Sequence, residues 1–506
     1  MSLPVLNLAQ MREWESATWA AGQTEAEVIR RVGKKIAKRA RKLTGAGDLI
    51  LILAGKGHNG DDARAAAEHL DGRDVKLISV ADPETALAEL VARASRPCGL
   101  MERTAAETKL TGETPVPPPL APTRSSDRRD ACPALIIDGL FGTGLNRPLD
   151  DGWKKFIAAV NAAKIPVLAV DAPSGLNCGT GEPMGAAIEA AITLTVGAPK
   201  TGLLAPTAWP FVGRLEVLDD VGLISCPHRS DLNWTQPEDF ENFPPRRAVA
   251  GHKGSFGHLA IVAGSLGFHG AAVLAARAAQ RAQPGLVTLF TPEPVYHAVA
   301  AQLQSVMVNI WKPEMKLPDN VTALLVGPGL AAPEVPEEMK MMLRRLCRDW
   351  PAPIVVDASA LDWLAAQHTL LRNAVRVLTP HPGEAARMLN LTAQKVQTNR
   401  PGAVREMSKR FGDCWVVLKG HQTLAGRSEG KIFVNPSGNP HLAQGGSGDA
   451  LAGYIAGLLA QPALQADAGR AIRYAVWRHG NAADELQAKR PNWVVEDLVA
   501  ELGNAR

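Results

Sequence analysis

The chain has 506 residues and a formal net charge of +4, with 46% hydrophobic and 21% charged residues. This length exceeds what one hydrophobic core supports, so we expect two domains or more. The small net charge gives no indication of a nucleic-acid partner, and the apolar runs are too short to cross a membrane. With no secretion signal at the N-terminus and six scattered cysteines, the sequence predicts a cytoplasmic enzyme rather than a secreted, disulfide-stabilised or zinc-binding protein.

A basic segment, residues 30–42, carries eight Lys and Arg residues. Val28, Val32, Ile36 and Ala40 recur at helical spacing, which predicts an amphipathic helix with one buried face and a solvated basic face. The alternative is an RNA-binding patch, but no aromatic residues that would stack on bases are interleaved with the charges. The spacing therefore favours an ordinary surface helix.

Short apolar runs alternate with helical patterns through the rest of the first half. They predict a parallel sheet with helices on both faces, and they are Leu49–Ala54, Val75–Val80, Leu135–Asp138 and Val167–Asp171. Residues 96–131 interrupt the pattern because they are rich in Pro, Thr, Arg and Glu and lack apolar periodicity. We interpret this segment as a mobile insertion.

Residues 222–250 are interrupted by prolines and mark a domain junction, so we place the domains at residues 1–222 and 223–506. A second series of apolar runs follows, separated mostly by helical patterns, and a terminal helix is expected over Asn492–Gly503. Both halves therefore predict the α/β class. The runs of the second half are His258–Ala263, Val287–Phe290, Ala323–Val326, Ile354–Asp357, Val375–Leu378 and Val416–Leu418.

A glycine-rich segment, Gly445–Gly453, reads GGSGDALAG and leads into an apolar helix. Such a loop presents backbone N–H groups at a helix N-terminus, where phosphate oxygens bind favourably. An aspartate there, Asp449, would repel a bound phosphate, but it suits a base that takes the proton of a substrate hydroxyl during phosphoryl transfer. The alternative is an ordinary acidic residue in a first helical turn, and the glycines alone do not decide between the two.

Further glycine-containing or polar clusters follow the apolar runs of the second half. The carboxyl ends of parallel strands meet at one edge of an open α/β sheet, where ligands bind. So many clusters on one edge favour a binding site over unrelated turns. We interpret Asp357, which ends a buried run, as a helix cap outside this site. The clusters are Gly251–Gly254, Gly264–Ala271, Gly327–Leu330, Thr379–Glu384, Lys419–Thr423 and Asn435–Asn439.

In this order, HKGSFGHLAIVAGS, GPGL, VVDASAL, LTPHPGE, VVLKGHQT and NPSGNPHLAQGGSGDALAG resemble the ADP- or ATP-dependent NAD(P)H-hydrate dehydratases, which have a ribokinase-like α/β fold. The resemblance covers about residues 245–505. It implies removal of water from the S epimer of hydrated NADH or NADPH (NADHX or NADPHX), with ADP or ATP and Mg²⁺ as cofactors. It also implies a catalytic base, Asp449. The hydrated cofactor would bind at Ala271, Gly329, His381 and Asp449, and the nucleotide at Lys419, Gly420, His421, Gln422, Thr423 and Gly448.

Polar clusters also follow the strands of the first half, at Ala54–Asp62, Asp138–Gly144 and Asp171–Gly175. Their carboxylates, an Asn amide and a Ser hydroxyl are hard oxygen ligands suited to a cation. The glycines and the helix that follows the first cluster suit phosphate. From these residues alone, the sequence predicts a phosphate or metal site.

Over residues 5–220, the series GKGHNGDD, DGLFGTGLNRP, VDAPSGLNCGTG and GAPKTGL resembles the NAD(P)H-hydrate epimerase domain, a Rossmann-like three-layer α/β/α fold that is often fused before the dehydratase. The resemblance implies K⁺ at Asn59, Asp138 and Ser174 and a catalytic Asp171 beside the reacting ring. Lys200 matches a family lysine, and we assign it no role. The hydrate would lie along His58, Asn59, Gly60, Asp61 and Asp62, along Gly142, Thr143, Gly144, Leu145, Asn146, Arg147 and Pro148, and at Asp171.

The first of these segments departs from the family pattern Asn-Asn-Gly-Gly-Asp, because His58 and Asp61 replace an Asn and a Gly. Asp61 adds a negative charge where substrate phosphates approach, and a side chain where glycine permits unusual backbone angles. Three hypotheses stay open: a dehydratase with an active epimerase, a dehydratase whose N-terminal domain has lost its activity, and a ribokinase-like kinase of a vitamin precursor. Under the first, the partners are NADHX, NADPHX and ADP or ATP, without nucleic acid or membrane, and the chain forms a homo-oligomer.

Overall fold

The computed structural model describes residues 2–94, 132–333, 335–365 and 374–504. They form two compact units: one is Leu6–His228, and the other combines Met1–Val5 with Arg229–Arg506. From the sequence we placed the boundary between residues 222 and 223. The insertion expected at residues 96–131 lies outside the described residues. Within the described ranges, no helix is both long enough and apolar enough to span a membrane.

The N-terminal unit, Leu6–His228, is built on a sheet of six strands that all run parallel. A short strand before it, β1 (Leu3–Pro4), pairs within the other unit. The strands of the N-terminal unit are β2 (Leu49–Ala54), β3 (Asp74–Ser79), β4 (Leu135–Gly139), β5 (Val167–Val170), β6 (Ile192–Val196) and β7 (Arg214–Leu218). Its helices are α1 (Leu8–Ala20), α2 (Glu25–Leu43), α3 (His58–Ala67), α4 (Pro83–Ala94), α5 (Asp151–Ala162) and α6 (Trp209–Val212).

The strand order of this sheet is β3-β2-β4-β5-β6-β7. The order reverses between β2 and β4, and the crevice at the carboxyl end of such a reversal is where open α/β sheets bind ligands. Ile50 and Ile52 of β2 pack in one hydrophobic cluster with α2 and α3. Leu51 and Leu53 pack in a second cluster with α4 and α5. Helices therefore cover both faces, which confirms the expected Rossmann-like three-layer α/β/α fold.

Helix α2 contains the basic segment and is amphipathic as predicted. Arg39 forms two hydrogen bonds of 2.8 Å with the carboxylate of Glu216, and the Lys35 ammonium lies 3.6 Å from the Asp219 carboxylate. Part of the basic face is thus neutralised by acidic residues of the same unit, which weakens the interpretation as an RNA-binding patch. The buried face consists of Val28, Val32, Gly33, Ile36, Ala37 and Ala40.

The C-terminal unit contains a sheet of eleven strands, to which β1 contributes an edge strand. Its other strands are β8 (Leu232–Trp234), β9 (His258–Val262), β10 (Leu286–Thr291), β11 (Met307–Ile310), β12 (Ala323–Val326), β13 (Ile354–Val356), β14 (Arg376–Leu378), β15 (Trp415–Leu418), β16 (Leu424–Gly426) and β17 (Ile432–Val434). Its helices are α7 (His269–Arg281), α8 (Glu293–Ala300), α9 (Glu337–Asp349), α10 (Ser359–Ala365), α11 (Pro382–Leu389), α12 (Ala393–Thr398), α13 (Arg400–Arg410), α14 (Ser447–Leu459), α15 (Pro462–Gln465), α16 (Ala468–Lys489) and α17 (Val495–Glu501).

The strand order of the larger sheet is β1-β8-β17-β16-β15-β14-β13-β12-β9-β10-β11. The adjacent strands β15, β14, β13, β12, β9, β10 and β11 all run parallel. Strand β16 pairs antiparallel with both of its neighbours, β15 and β17. The strand order reverses between β9 and β12, so a ligand crevice is expected at the carboxyl ends of these two strands. One face of the sheet is buried under α7, α14, α16 and α17.

Helices α7 and α14 approach so closely that only glycine fits at the contact. A Cβ atom on Gly453 of α14 would stand 2.1 Å from the carbonyl oxygen of Ala275 on α7. Real Cβ atoms do not come this close to backbone oxygen, so a side chain at this position would force the helices apart. Since α14 starts at Ser447, within the GGSGD segment, this contact also fixes the position of that segment.

We expect Gly453→Ala to lower the free energy of unfolding of the C-terminal unit by about 1–3 kcal/mol, the usual cost of overpacking a core. Gly270→Ala is the matched control, because the same substitution in α7 meets open space and gains helix propensity. Denaturant unfolding of the full-length chain measures both. Equal stability of the two variants would contradict the close approach of α7 and α14.

Candidate active sites

The crevice of the C-terminal unit lies between the loops that follow β9 and β12. The backbone N–H of Gly264 donates to the carbonyl oxygen of Pro328 at 2.8 Å, and Ser265 Oγ donates to that of Gly329 at 2.6 Å. Gly329 has φ +67°, and a Cβ there would stand 2.9 Å from the Cβ of Ala271. The structure thus brings together Ala271 and Gly329, two of the residues predicted to line the hydrated cofactor.

Asp357, which we interpreted from the sequence as a helix cap outside the site, contacts Lys419, one of the residues predicted for the nucleotide. It is 1% exposed, and its Oδ1 accepts hydrogen bonds from Lys419 Nζ at 2.8 Å and from Thr379 Oγ1 at 2.6 Å. Glu384 Oε2 lies 3.8 Å from the same Lys419 nitrogen. Burial alone would lower the pKa of Lys419, but Asp357, Glu384 and Asp449 outweigh it and raise that pKa above its usual value.

Asp449 occupies the first turn of α14 and shares the electrostatic environment of these groups. Burial and the neighbouring Asp357 and Glu384 carboxylates raise its pKa to about 6, against the opposing effect of Lys419. A Cβ on Gly448 would stand 3.2 Å from Lys419 Nζ, so the GGSGD loop lies directly beside the lysine. A carboxylate with a pKa in this range suits a general base at neutral pH.

The remaining residues predicted for the nucleotide form a turn that a buried arginine holds in place. Arg400 is 5% exposed and donates to the carbonyl oxygens of Leu418 and Gln422 at 3.2 and 3.4 Å. Within the turn, Thr423 Oγ1 donates to the Gly420 carbonyl oxygen at 3.0 Å. His421 is exposed between them. The turn is therefore ordered by the protein itself and open to a ligand.

His381 is both a helix cap and an accessible side chain. Its Nδ1 accepts hydrogen bonds from the backbone N–H groups of Gly383 at 3.0 Å and Glu384 at 3.3 Å. The Glu384 carboxylate in turn accepts the backbone N–H of His381 at 2.7 Å, which completes a capping box. About half of the His381 side chain, 52%, is exposed. His381 can therefore cap the helix and still be accessible to a ligand.

In the N-terminal unit, a cavity of about 730 Å³ opens at the reversal between β2 and β4. Lys56, Phe141 and Trp153 line it, so its wall combines cationic and aromatic groups. Among the residues described, Gly60, Asp61, Asp62 and Asp171 of the predicted site are not part of its lining. The predicted residues that line the cavity are His58, Asn59, Gly142, Thr143, Gly144, Leu145, Asn146, Arg147 and Pro148.

Asn59, Asp138 and Ser174, the residues predicted to hold an ion, lie close together. Asp138 is fully buried; its two oxygens accept from Ser174 Oγ at 2.6 Å and from the Ser174 backbone N–H at 2.8 Å. Burial raises the pKa of Asp138 to about 6 despite these bonds. Asn59 Nδ2 donates to the carbonyl oxygens of Phe141 at 3.2 Å and Val170 at 2.6 Å. The set therefore consists of one carboxylic side chain, Asp138, and two neutral polar side chains, the Ser174 hydroxyl and the Asn59 amide.

Asp171 and Lys200 form a buried ion pair at the end of β5. Lys200 is 1% exposed and Asp171 is 8% exposed. The ammonium contacts Asp171 Oδ1 and also donates at 2.9 Å to Thr195 Oγ1 and the Val196 carbonyl oxygen. Asp171 itself has φ +63°, an uncommon backbone conformation for a residue other than glycine. The structure therefore assigns to Lys200 a partner that the sequence did not reveal.

The substituted segment His58–Asp62 forms the first turns of α3, and the side chain at each changed position has a polar partner. Asp61 accepts a hydrogen bond from Arg64 at 2.8 Å, one turn later on the same helix. Arg64 also donates to the Gly55 carbonyl oxygen at 2.6 Å, and His58 pairs with Glu25. The added charge of Asp61 is thus neutralised locally, and the segment keeps its helical start.

Comparison with known proteins gives two family matches that together cover both units. Residues 259–502 match the family model described as NAD(P)H-hydrate dehydratase. Residues 25–202 match the family model described as YjeF-related protein N-terminus.

Among solved structures, the C-terminal unit is similar to the ADP/ATP-dependent NAD(P)H-hydrate dehydratase from Bacillus subtilis co-crystallised with ATP/Mg²⁺. The sequences are 31% identical, the match covers 51% of this chain and 92% of that chain, and the TM-score is 0.46. Two relatives match more than nine tenths of this chain. A bifunctional NAD(P)H-hydrate repair enzyme of Gloeobacter violaceus is 34% identical over 99% of this chain and 96% of its own. One of Coxiella burnetii is 33% identical over 94% and 93%. The chain therefore belongs to the family of bifunctional NAD(P)H-hydrate repair enzymes.

Proposed function

We propose that the two activities of this family are divided between the two units. The C-terminal unit dehydrates the S epimer of NADHX or NADPHX with ADP or ATP, and the N-terminal unit interconverts the R and S epimers. The observation that carries the first assignment is the group formed by the partly buried Asp449 and Lys419 and the buried Asp357 and Glu384 at the carboxyl edge of the larger sheet. The cavity at the reversal between β2 and β4 supports the second.

In the dehydration, Asp449 is the base that takes the proton of the ring hydroxyl. The hydroxyl oxygen attacks the terminal phosphorus of the nucleotide, and the bond from that phosphorus to the leaving nucleotide breaks. The backbone N–H groups at the start of α14 face the charge that develops on the phosphoryl group. Phosphate then leaves with the carbon–oxygen electron pair, and loss of a proton from the adjacent ring carbon restores the dihydropyridine.

The nucleotide is proposed to bind along Lys419, Gly420, His421, Gln422, Thr423 and Gly448. Two buried carboxylates beside this turn, Asp357 and Glu384, fit the usual setting of Mg²⁺, which is held by one or two carboxylates, water and substrate phosphates. When bound, Mg²⁺ would neutralise the charge of the phosphates. Ala271, Gly329 and His381 would orient the hydrated ring so that its hydroxyl faces Asp449.

In the epimerase unit, the hydrate is proposed to bind in the cavity with its reacting ring extending beyond the cavity lining, toward Asp171. Gly142, Thr143, Gly144 and the start of α3 offer backbone N–H groups to the phosphates, and Arg147 adds a positive charge. The set of Asn59, Asp138 and Ser174 fits K⁺ once the Asn59 amide presents its oxygen, because all of its ligands are then hard oxygens. Bound K⁺ would hold these strand ends in place.

The test is to mix the protein with R and S epimers of NADHX, ADP or ATP, and Mg²⁺, and to follow recovery of absorbance near ~340 nm, the band of the dihydropyridine. Rapid recovery of the S fraction supports the dehydratase assignment. Recovery of the R fraction faster than spontaneous epimerisation supports an active N-terminal unit, whereas a stall at the spontaneous rate means that this unit has lost its activity. No nucleotide-dependent recovery would refute the proposal.

The proposal also places the enzyme in the cytoplasm as a homo-oligomer. Light scattering of the purified chain measures the assembly, and a molar mass of one chain, 53.7 kDa, would contradict it.

A further inference from the structure

Asp171, at the end of β5, lies close enough to the buried Asp62 of α3 for its carboxylate to raise the pKa of Asp62. Asp171 follows β5 directly, and Asn59 on α3 donates to the carbonyl oxygen of Val170, the residue before Asp171, at 2.6 Å. Asp62 lies three residues after Asn59, so both side chains are on one face of α3. Asp62 is 8% exposed. The helix therefore directs a second buried carboxyl group toward Asp171.

The buried ammonium group of Lys200 lies near both carboxyl groups. Lys200 contacts Asp171 and uses its other hydrogen bonds on Thr195 and Val196. Asp62 therefore has negatively charged neighbours, and Lys200 does not form an ion pair with it. Burial first, and then the carboxylates of Asp171, Asp61 and Glu15, raise the pKa of Asp62 to about 8, although Lys200 opposes them. At neutral pH Asp62 is therefore mostly protonated.

We propose that Asp62 is a second catalytic residue of the epimerase, the acid that works opposite the base Asp171. This inference rests on the proposed epimerase site. The hydrated ring carries its hydroxyl on the carbon bonded to the ring nitrogen. Asp171 takes the hydroxyl proton, the carbon–nitrogen bond breaks with its electron pair going to nitrogen, and Asp62 protonates that nitrogen.

The ring-opened intermediate contains an aldehyde and an amine in one molecule. After rotation of the aldehyde, the nitrogen adds to its opposite face, Asp62 takes back the nitrogen proton, and Asp171 returns a proton to the oxygen. The two residues end as they began, no water is consumed, and nothing is oxidised or reduced. Lys200 is a positioning residue here, because it holds Asp171 and does not contact the substrate.

The first experiment compares Asp62→Asn with Asp74→Asn in the full-length chain. Asp74 is an exposed residue at the opposite, amino end of the sheet. Starting from one pure epimer without nucleotide, so that dehydration is silent, we expect Asp62→Asn to lower kcat about 10²- to 10⁴-fold with little change in KM. Asp74→Asn should match the wild type. Dehydration by the variant and its thermal unfolding establish that it is folded, and a folded Asp62→Asn chain with the wild-type kcat would overturn the inference.

The second experiment follows the hydroxyl oxygen during epimerisation in H₂¹⁸O. Ring opening keeps this oxygen, so the inverted epimer should contain unlabelled oxygen after one turnover. One labelled oxygen per inversion would mean that water leaves and returns, and would overturn ring opening. If the wild-type chain epimerises no faster than the spontaneous reaction, the proposed function of this unit fails instead, and the two failures are thereby distinguished.

The pH dependence supplies a third measurement. An acid must carry its proton, so the epimerase rate should fall as the pH rises through about 8. Asp171, Asp61, Glu15 and Lys200 are the charged groups that act on Asp62. An alkaline limb that persists unchanged in Asp62→Asn would contradict its assignment to this residue.

Discussion

Asp449→Asn is expected to lower the rate of nucleotide-dependent dehydration about 10²- to 10⁴-fold, the usual contribution of a positioned base. The amide cannot accept the hydroxyl proton, but it keeps the shape of the side chain at the start of α14. KM for the nucleotide should change little, because the backbone and the turn at Lys419–Thr423 are untouched. Recovery of absorbance from the pure S epimer measures the effect.

The control for this variant is Asp319→Asn, which removes an exposed carboxylate before β12, at the opposite end of the strand from the site. It should retain the wild-type rate, and both variants should retain epimerase activity. The wild-type rate should also fall as the pH decreases through about 6, because Asp449 is a base only when ionised and its pKa is raised to about 6. Dehydration by Asp449→Asn at more than a tenth of the wild-type rate would rule out its role as base.

The apolar runs of the sequence predicted most of the parallel strands because those strands are buried on both faces and therefore uniformly apolar. Leu49–Ala54 and Ala323–Val326 match β2 and β12 at both ends. Strand β6 alternates Thr with apolar residues, and β17 has only three residues. Neither stands out as an apolar run, so the sequence did not predict β6 in the smaller sheet or β17 at the antiparallel edge of the larger one.

The contacts that the sequence missed are those between residues distant from each other in the chain. From the sequence, Asp357 is interpreted as a helix cap. In the structure, Lys419, 62 residues later, donates a hydrogen bond to its carboxylate. Glu15 looks like a surface residue of a polar helix. In the structure, burial raises its pKa, and the carboxylate of Asp171 acts in the same direction. Clusters after strands predict which edge of the sheet binds ligands, but they do not predict which charges meet there.

Replacing Lys200 by Met is expected to abolish epimerase activity and to destabilise the N-terminal unit. The ammonium is buried against Asp171 and makes two further hydrogen bonds of 2.9 Å. Its loss leaves the Asp171 carboxylate buried without a counter-ion, and breaking buried pairs in this way costs about 3–5 kcal/mol. Denaturant unfolding of the full-length chain measures the loss, and dehydration by the C-terminal unit serves as the internal control.

The double variant Lys200→Met/Asp171→Asn separates the structural effect from the catalytic one. With both charges gone, no uncompensated charge stays buried, so the double variant should be more stable than Lys200→Met alone. Its epimerase activity should stay lost, because Asn cannot take the hydroxyl proton. A double variant no more stable than the single one would mean that Lys200 stabilises the unit through packing rather than through Asp171. Epimerase activity in the double variant would mean that the base lies elsewhere.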